Sequence, residues 1–174
     1  PIGGHYELVA GQRRYLAYQF GGMPTISCVV RDLSDADAFG IMTSENLKRQ
    51  DVNPVDEARH VAKLLEMNEN DIQRVSAIVG RGADWVKTRV EINAMPSDIK
   101  EVLRSGKIKI GVASALAEIT DDTDRATCCD MAVNQGVSAV MAQVWAAQWR
   151  AGIFGHATTS AAPAPSTATV PPGR

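Results

Sequence analysis

Long apolar runs are missing from this chain, and none approaches the ~18 residues that a membrane-crossing helix needs. Aromatic residues are scarce at 5%, which argues against a β-sandwich and for helices packed by Ala, Val, Ile and Leu. Cysteine is limited to Cys28, Cys128 and Cys129, an odd number with no Cys-x-x-Cys or Cys/His ligand spacing. That excludes a disulfide framework or a zinc site, and it predicts reduced thiols of a cytoplasmic protein, buried as small apolar groups. His5, His60 and His156 are scattered, with no Ser or Cys partner to make a catalytic pair. Neither charge dominates: 18 Lys and Arg stand against 20 Asp and Glu, a formal net charge of −2, so the chain as a whole carries no basic signature. No internal repeat is present.

What is present is uneven charge on a chain long enough for one or two small domains. At 174 residues and 45% apolar content it can build a core. Between Asp71 and Lys109 eight basic residues face five acidic ones; between Ile110 and Trp149 only Arg125 opposes five acidic residues. A basic block followed by an acidic one marks where an anionic partner sits.

The N-terminal part reads as mixed. Residues 6–10 suggest a short strand, Gly11 a tight turn, and residues 14–20 a helix ended by Gly21-Gly22. Ile26 to Val30 is β-branched and apolar, as in a half-buried strand. Ser34 caps a helix with Asp35 and Asp37 in its first turn, running to about Arg49. From Asn53, an N-cap followed by Pro54 at the first helical position, the pattern is helical throughout. Residues 155–174 collapse to Ala, Thr, Ser and Pro, a composition that predicts a disordered tail.

Two stretches carry chemistry. Gly11-Gln12-Arg13-Arg14 joins a glycine turn to a helix start, whose free N–H groups suit an anion beside two guanidiniums. Glu45-Asn46-Leu47-Lys48-Arg49 offers a carboxylate and an amide for a hard cation such as Mg²⁺, and a guanidinium one turn on for phosphate. The plain alternative for the second is a solvated helix end with an ordinary Glu/Arg pair. A third unit runs from Asp71 to Met95: a short helix, a turn at Val79-Gly80-Arg81-Gly82, and a second helix offering Lys87, Thr88 and Arg89. That layout is a helix-turn-helix, whose Arg and Lys read guanine edges or bind phosphate; its alternative is a helical hairpin with solvated charges.

The two boxes, in this order and followed by Asn53-Pro54-Val55-Asp56-Glu57-Ala58, resemble the signatures of the ParB partition-protein family, written GERR and ENxxR with a following N-P-[IV]-[DE]-E-A run. The similarity runs from about Tyr6 to about Trp149 and extends to plasmid relatives such as KorB. It implies an α+β protein: a ParB/sulfiredoxin-like α/β part over residues 1–52, missing some N-terminal strands, then a helical DNA-binding domain over residues 53–150. It implies CTP held by Gly11, Gln12, Arg13, Arg14, Asn46 and Arg49, with Mg²⁺ at Glu45 and Asn46. It implies duplex DNA bound through Arg81, Lys87, Thr88 and Arg89, self-association on DNA, a ParA-type ATPase partner, and a nucleoid- or plasmid-associated location. Gln12 departs from the family's usual Glu. Gln12 and Glu45 are the candidates for a catalytic role, and the amide puts CTP hydrolysis in doubt. The competing readings are a plasmid- or phage-type transcription regulator without nucleotide turnover, and a nuclease or small-molecule kinase of the sulfiredoxin-like fold.

Overall fold

The computed structural model describes residues 5–49 and 52–153. The tail expected to be disordered lies outside the described residues. Among those described, the chain forms nine helices: α1 (Gln12–Phe20), α2 (Asp35–Leu47), α3 (Pro54–Met67), α4 (Ile72–Val79), α5 (Ala83–Ala94), α6 (Ser97–Arg104), α7 (Ile110–Leu116), α8 (Asp122–Gln135) and α9 (Ala139–Arg150).

The described residues do not form the expected α/β part. Among the described residues no strand forms, and His5 alone makes an isolated bridge. Residues 6–9 and 25–34 lack regular structure, and Val29 and Val30 are 82% and 57% exposed rather than half-buried. A β-branched run becomes a strand only when a neighbouring strand takes its N–H and C=O groups, and no such partner lies among the described residues. α1 likewise buries none of its residues.

The helical remainder is set by local signals that the chain spells out. Ser34, Asn53, Asp71, Asp121 and Ser138 each accept a first-turn backbone N–H at the start of α2, α3, α4, α8 and α9. The aspartates at 121–124 therefore act as a helix start; among the described residues no group of three His, Cys, Asp or Glu side chains is arranged to hold a metal ion. Gly80 closes α4 in the left-handed conformation.

α3 is the spine, and its apolar residues feed two clusters. Val61, Leu64 and Leu65 join Leu47, Val75, Val79 and Val86 under α2, α4 and α5. Val55 and Ala58 join Ile92, Ile99, Leu103, Leu116, Cys128 and Ala142 among α5 to α9. Trp145 and Trp149 pack against this second cluster, and the Trp149 indole N–H donates to Asp124 at 3.0 Å. Cys128 and Cys129 are buried as expected, whereas Cys28 is exposed. On α5, Val86 and Ile92 turn inward, whereas Val90 is 39% exposed.

One buried cation ties the second cluster together. Arg125 donates to Asp98 at 2.8 Å, to Asp122 at 2.6 Å and to the Ile119 carbonyl at 3.1 Å, joining α6, α8 and the loop before α8. Burial pushes the Asp98 carboxyl up, but the bond and charge of Arg125 and the Ile99 N–H outweigh it, holding Asp98 below the usual carboxylate range.

Candidate nucleic-acid interface and nucleotide boxes

The helix-turn-helix is built as a clamp on α3. α4 and α5 are joined by the three residues Gly80, Arg81 and Gly82. The turn is held from both sides by Ser76: its hydroxyl donates to the Arg81 carbonyl, and its own carbonyl accepts the Arg81 N–H at 3.2 Å. Gly82 caps α5 without a side-chain hydrogen bond, leaving the first-turn N–H groups of a 12-residue helix to an external acceptor.

Each member of the run from Asn53 to Ala58 has a place in this clamp. Asn53 accepts the Val55 N–H at 3.0 Å and donates to the Arg104 carbonyl at 2.7 Å, tying the start of α3 to the end of α6. Pro54 opens α3, Asp56 meets Arg104 at 3.5 Å, and Ala58 is fully buried. Glu57 receives two donors from Arg89 on one oxygen, Oε2, at 2.9 and 2.5 Å. Both side chains are nearly enclosed, at 12% exposed for Arg89 and 13% for Glu57.

The four residues assigned to DNA from the sequence therefore divide. Arg81 and Lys87 are exposed. Lys87 meets Asp84 at 3.2 Å, a pair open to solvent and so weak. Thr88 is half-buried and donates its hydroxyl to the Asp84 carbonyl at 2.9 Å. Arg89 is withdrawn from the surface into the pair with Glu57, and its guanidinium lies 4.1 Å from the centre of the Trp85 ring. Sequence reasoning placed Glu57 in the conspicuous Asn53–Ala58 run but paired neither it nor Trp85 with Arg89. The signal for the ring was the i, i+4 spacing of Trp85 and Arg89 on α5, which sets them one turn apart.

The nucleotide boxes lie at the ends of α1 and α2. Gly11 caps α1 at φ 90° with no side-chain hydrogen bond, so the first-turn N–H groups are free for an anion. The Arg14 guanidinium folds back over it, and a Cβ at Gly11 would come within 3.3 Å of an Arg14 nitrogen. Gln12, Arg13 and Arg14 are exposed. α2 stops at Leu47, earlier than expected, so Arg49 lies beyond the helix in a turn closed by its N–H to the Asn46 carbonyl at 3.1 Å. An open cleft of about 570 Å³ brings Ala10, beside the first box, to Glu45 and Lys48 of the second. Its floor is the seam between α2 and α4. Gly40 comes so close there that an added Cβ would sit 2.9 Å from Ile78 Cγ2, and Ser44 donates to the Ile78 carbonyl at 2.7 Å.

Known proteins place this architecture. The family model for the ParB HTH domain matches residues 50–150, and that for the ParB N-terminal domain matches residues 1–47. The chromosome-partitioning protein Spo0J of Thermus thermophilus is 40% identical over 116 residues, covering 67% of this chain and 43% of that protein. A probable chromosome-partitioning protein ParB of Pseudomonas putida is 31% identical over 150 residues, covering 86% and 51%. The chain thus spans about half the length of the curated relatives it matches. Among solved structures, the C-terminally truncated chromosome-partitioning protein ParB from Caulobacter crescentus, complexed to the centromeric parS site, superposes with a TM-score of 0.68 at 28% identity. The match covers 83% of this chain and 76% of that one. With a clamp-mounted helix-turn-helix and matches to both family models, the chain belongs to the ParB family.

Proposed function

We propose that this chain binds centromere-type duplex DNA in chromosome partition, with α5 as the helix that enters the major groove. The observation that carries this reading is the α4–α5 unit. Its turn and the first turns of α5 offer Arg81, Lys87 and uncapped N–H groups to solvent, on a frame fixed by Glu57 and Arg89. The match to a ParB complexed to parS supports it. Arg81 and the uncapped N–H groups suit phosphates, and Lys87 a base edge or phosphate. A labelled parS duplex titrated against a scrambled duplex of equal length tests the proposal. Specific affinity should fall steeply with salt, and Lys87→Ala should flatten the log–log slope by about 0.9 for one lost phosphate contact. Equal affinity for both duplexes sinks the centromere assignment and leaves the transcription-regulator reading.

The proposal extends to a nucleotide switch over residues 1–52 acting on a DNA-binding part over residues 53–150. The residues fit a triphosphate with Mg²⁺ in kind: the uncapped Gly11 turn and the exposed Arg13, Arg14 and Arg49 suit phosphate, and Glu45 offers a carboxylate with Asn46 beside it. Mg²⁺ is commonly held by one or two carboxylates together with substrate phosphates, and it would neutralise their charge. Calorimetry with CTP and Mg²⁺ on wild type and Arg14→Ala tests this; equal heats from both remove the nucleotide. Self-association on DNA and a ParA-type ATPase partner belong to the same proposal for the whole protein.

A further inference from the structure

Trp85 lies between the buried frame of the helix-turn-helix and its exposed turn. Its ring packs against the cluster of Val75, Val79 and Val86. On it rests the Arg89 guanidinium, 4.1 Å from the ring centre and fixed from behind by two hydrogen bonds to Glu57. The Arg81 guanidinium also approaches the ring, 5.8 Å from its centre. A cation within about 6 Å of an indole face is attracted by the ring quadrupole, and Trp is the strongest of the aromatic side chains in this role. The Arg81 backbone is fixed at the same time by the two bonds to Ser76. A long arginine side chain otherwise loses rotamer freedom on meeting a phosphate, so a side chain held in advance binds more tightly.

We infer that Trp85 is a positioning residue, holding the Arg81 guanidinium over the α4–α5 turn where it meets the DNA backbone, with the Glu57–Arg89 pair keeping the ring in place. This rests on the DNA-binding reading above and names the side chain that readies its contact. The role differs from plain packing in one consequence: the effect of Trp85 on DNA affinity passes through Arg81.

The test is a double-mutant cycle read by fluorescence anisotropy on labelled parS and scrambled duplexes over graded salt. It uses wild type, Arg81→Ala, Trp85→Met and the double variant, with Trp85→Phe as the conservative substitution. Arg81→Ala should lower the log–log salt slope by about 0.9. Trp85→Met should weaken binding by about three- to fivefold in wild type but by less than about twofold in Arg81→Ala, and Trp85→Phe should keep most of the affinity. Should the Met variant lose its helical circular dichroism, the Phe variant decides, with a small loss in wild type and none beside Arg81→Ala. Equal losses from a Trp85 substitution in both backgrounds, or none in wild type, overturn the inference. A wild-type protein that binds both duplexes equally refutes the centromere assignment alone, and the cycle still reads on either duplex. One that binds neither overturns both.

Discussion

Glu57→Ala should be among the costliest single substitutions outside the apolar clusters. In the folded protein the Glu57 carboxylate takes both Nε and a terminal nitrogen of Arg89, between side chains only 12–13% exposed. Removing it leaves a guanidinium enclosed between α3 and α5 without its partner. Breaking a buried pair from one side costs about 3–5 kcal/mol. The residual exposure and the contact of Arg89 with the Trp85 ring bring the expected loss just below that range, to about 2–3 kcal/mol. For a chain of this size that corresponds to roughly 5–10 °C in the unfolding midpoint. The double variant Glu57→Ala/Arg89→Met removes the stranded charge and should recover most of the loss. Thermal and urea unfolding followed by far-ultraviolet circular dichroism measure wild type, Glu57→Ala, Arg89→Met and the double variant. A loss below about 0.5 kcal/mol for Glu57→Ala, or a double variant as unstable as the sum of its singles, refutes the reasoning.

The other predictions follow from separate parts of the molecule. Asp98 has a folded pKa below its unfolded value, so its bond to Arg125 stabilises the fold above pH ~4 and is lost as pH falls through the lowered pKa. The acid side of the stability profile should therefore flatten in Asp98→Asn, and an unchanged profile contradicts the pairing. Burial raises the thiols of Cys128 and Cys129 to about 12 and about 11, so a thiol reagent at pH 8 should label the native protein at the exposed Cys28 and reach the other two only in denaturant. Gly40→Ala sets a Cβ 2.9 Å from Ile78 Cγ2, and it should destabilise by about 1 kcal/mol despite the better helix former; a stabilised protein contradicts the close seam between α2 and α4. Gln12→Glu should raise phosphate release from CTP in the presence of DNA, because a carboxylate can orient water or coordinate an ion where the amide cannot; equal turnover ends that idea.

The helical half was legible because its signals are local. Asn53-Pro54, Asp71, Gly80 and Ser138 each announce a boundary within one turn, and the apolar spacing Val55, Ala58, Val61, Ala62 and Leu65 marks the inward face of α3, on which Ala62 is only half-buried and Leu64 is buried in addition. The N-terminal strands were misread because a run such as Ile26 to Val30 states a preference that only a pairing partner can realise. Arg89 was read as a DNA contact because sequence shows its charge and its helix but not Glu57, which lies 32 residues earlier and is brought beside it by the packing of α3 on α5. Arg49 was placed on the face of Glu45 by counting turns, but the helix had ended two residues earlier.

Amide hydrogen exchange of the protein with and without a parS duplex tests the central claim most directly. DNA bound through α5 should slow exchange across residues 81–88 and at the α4–α5 turn while leaving α8 and α9 unchanged. Protection on α8 and α9 with residues 81–88 exchanging as in the free protein would contradict the account.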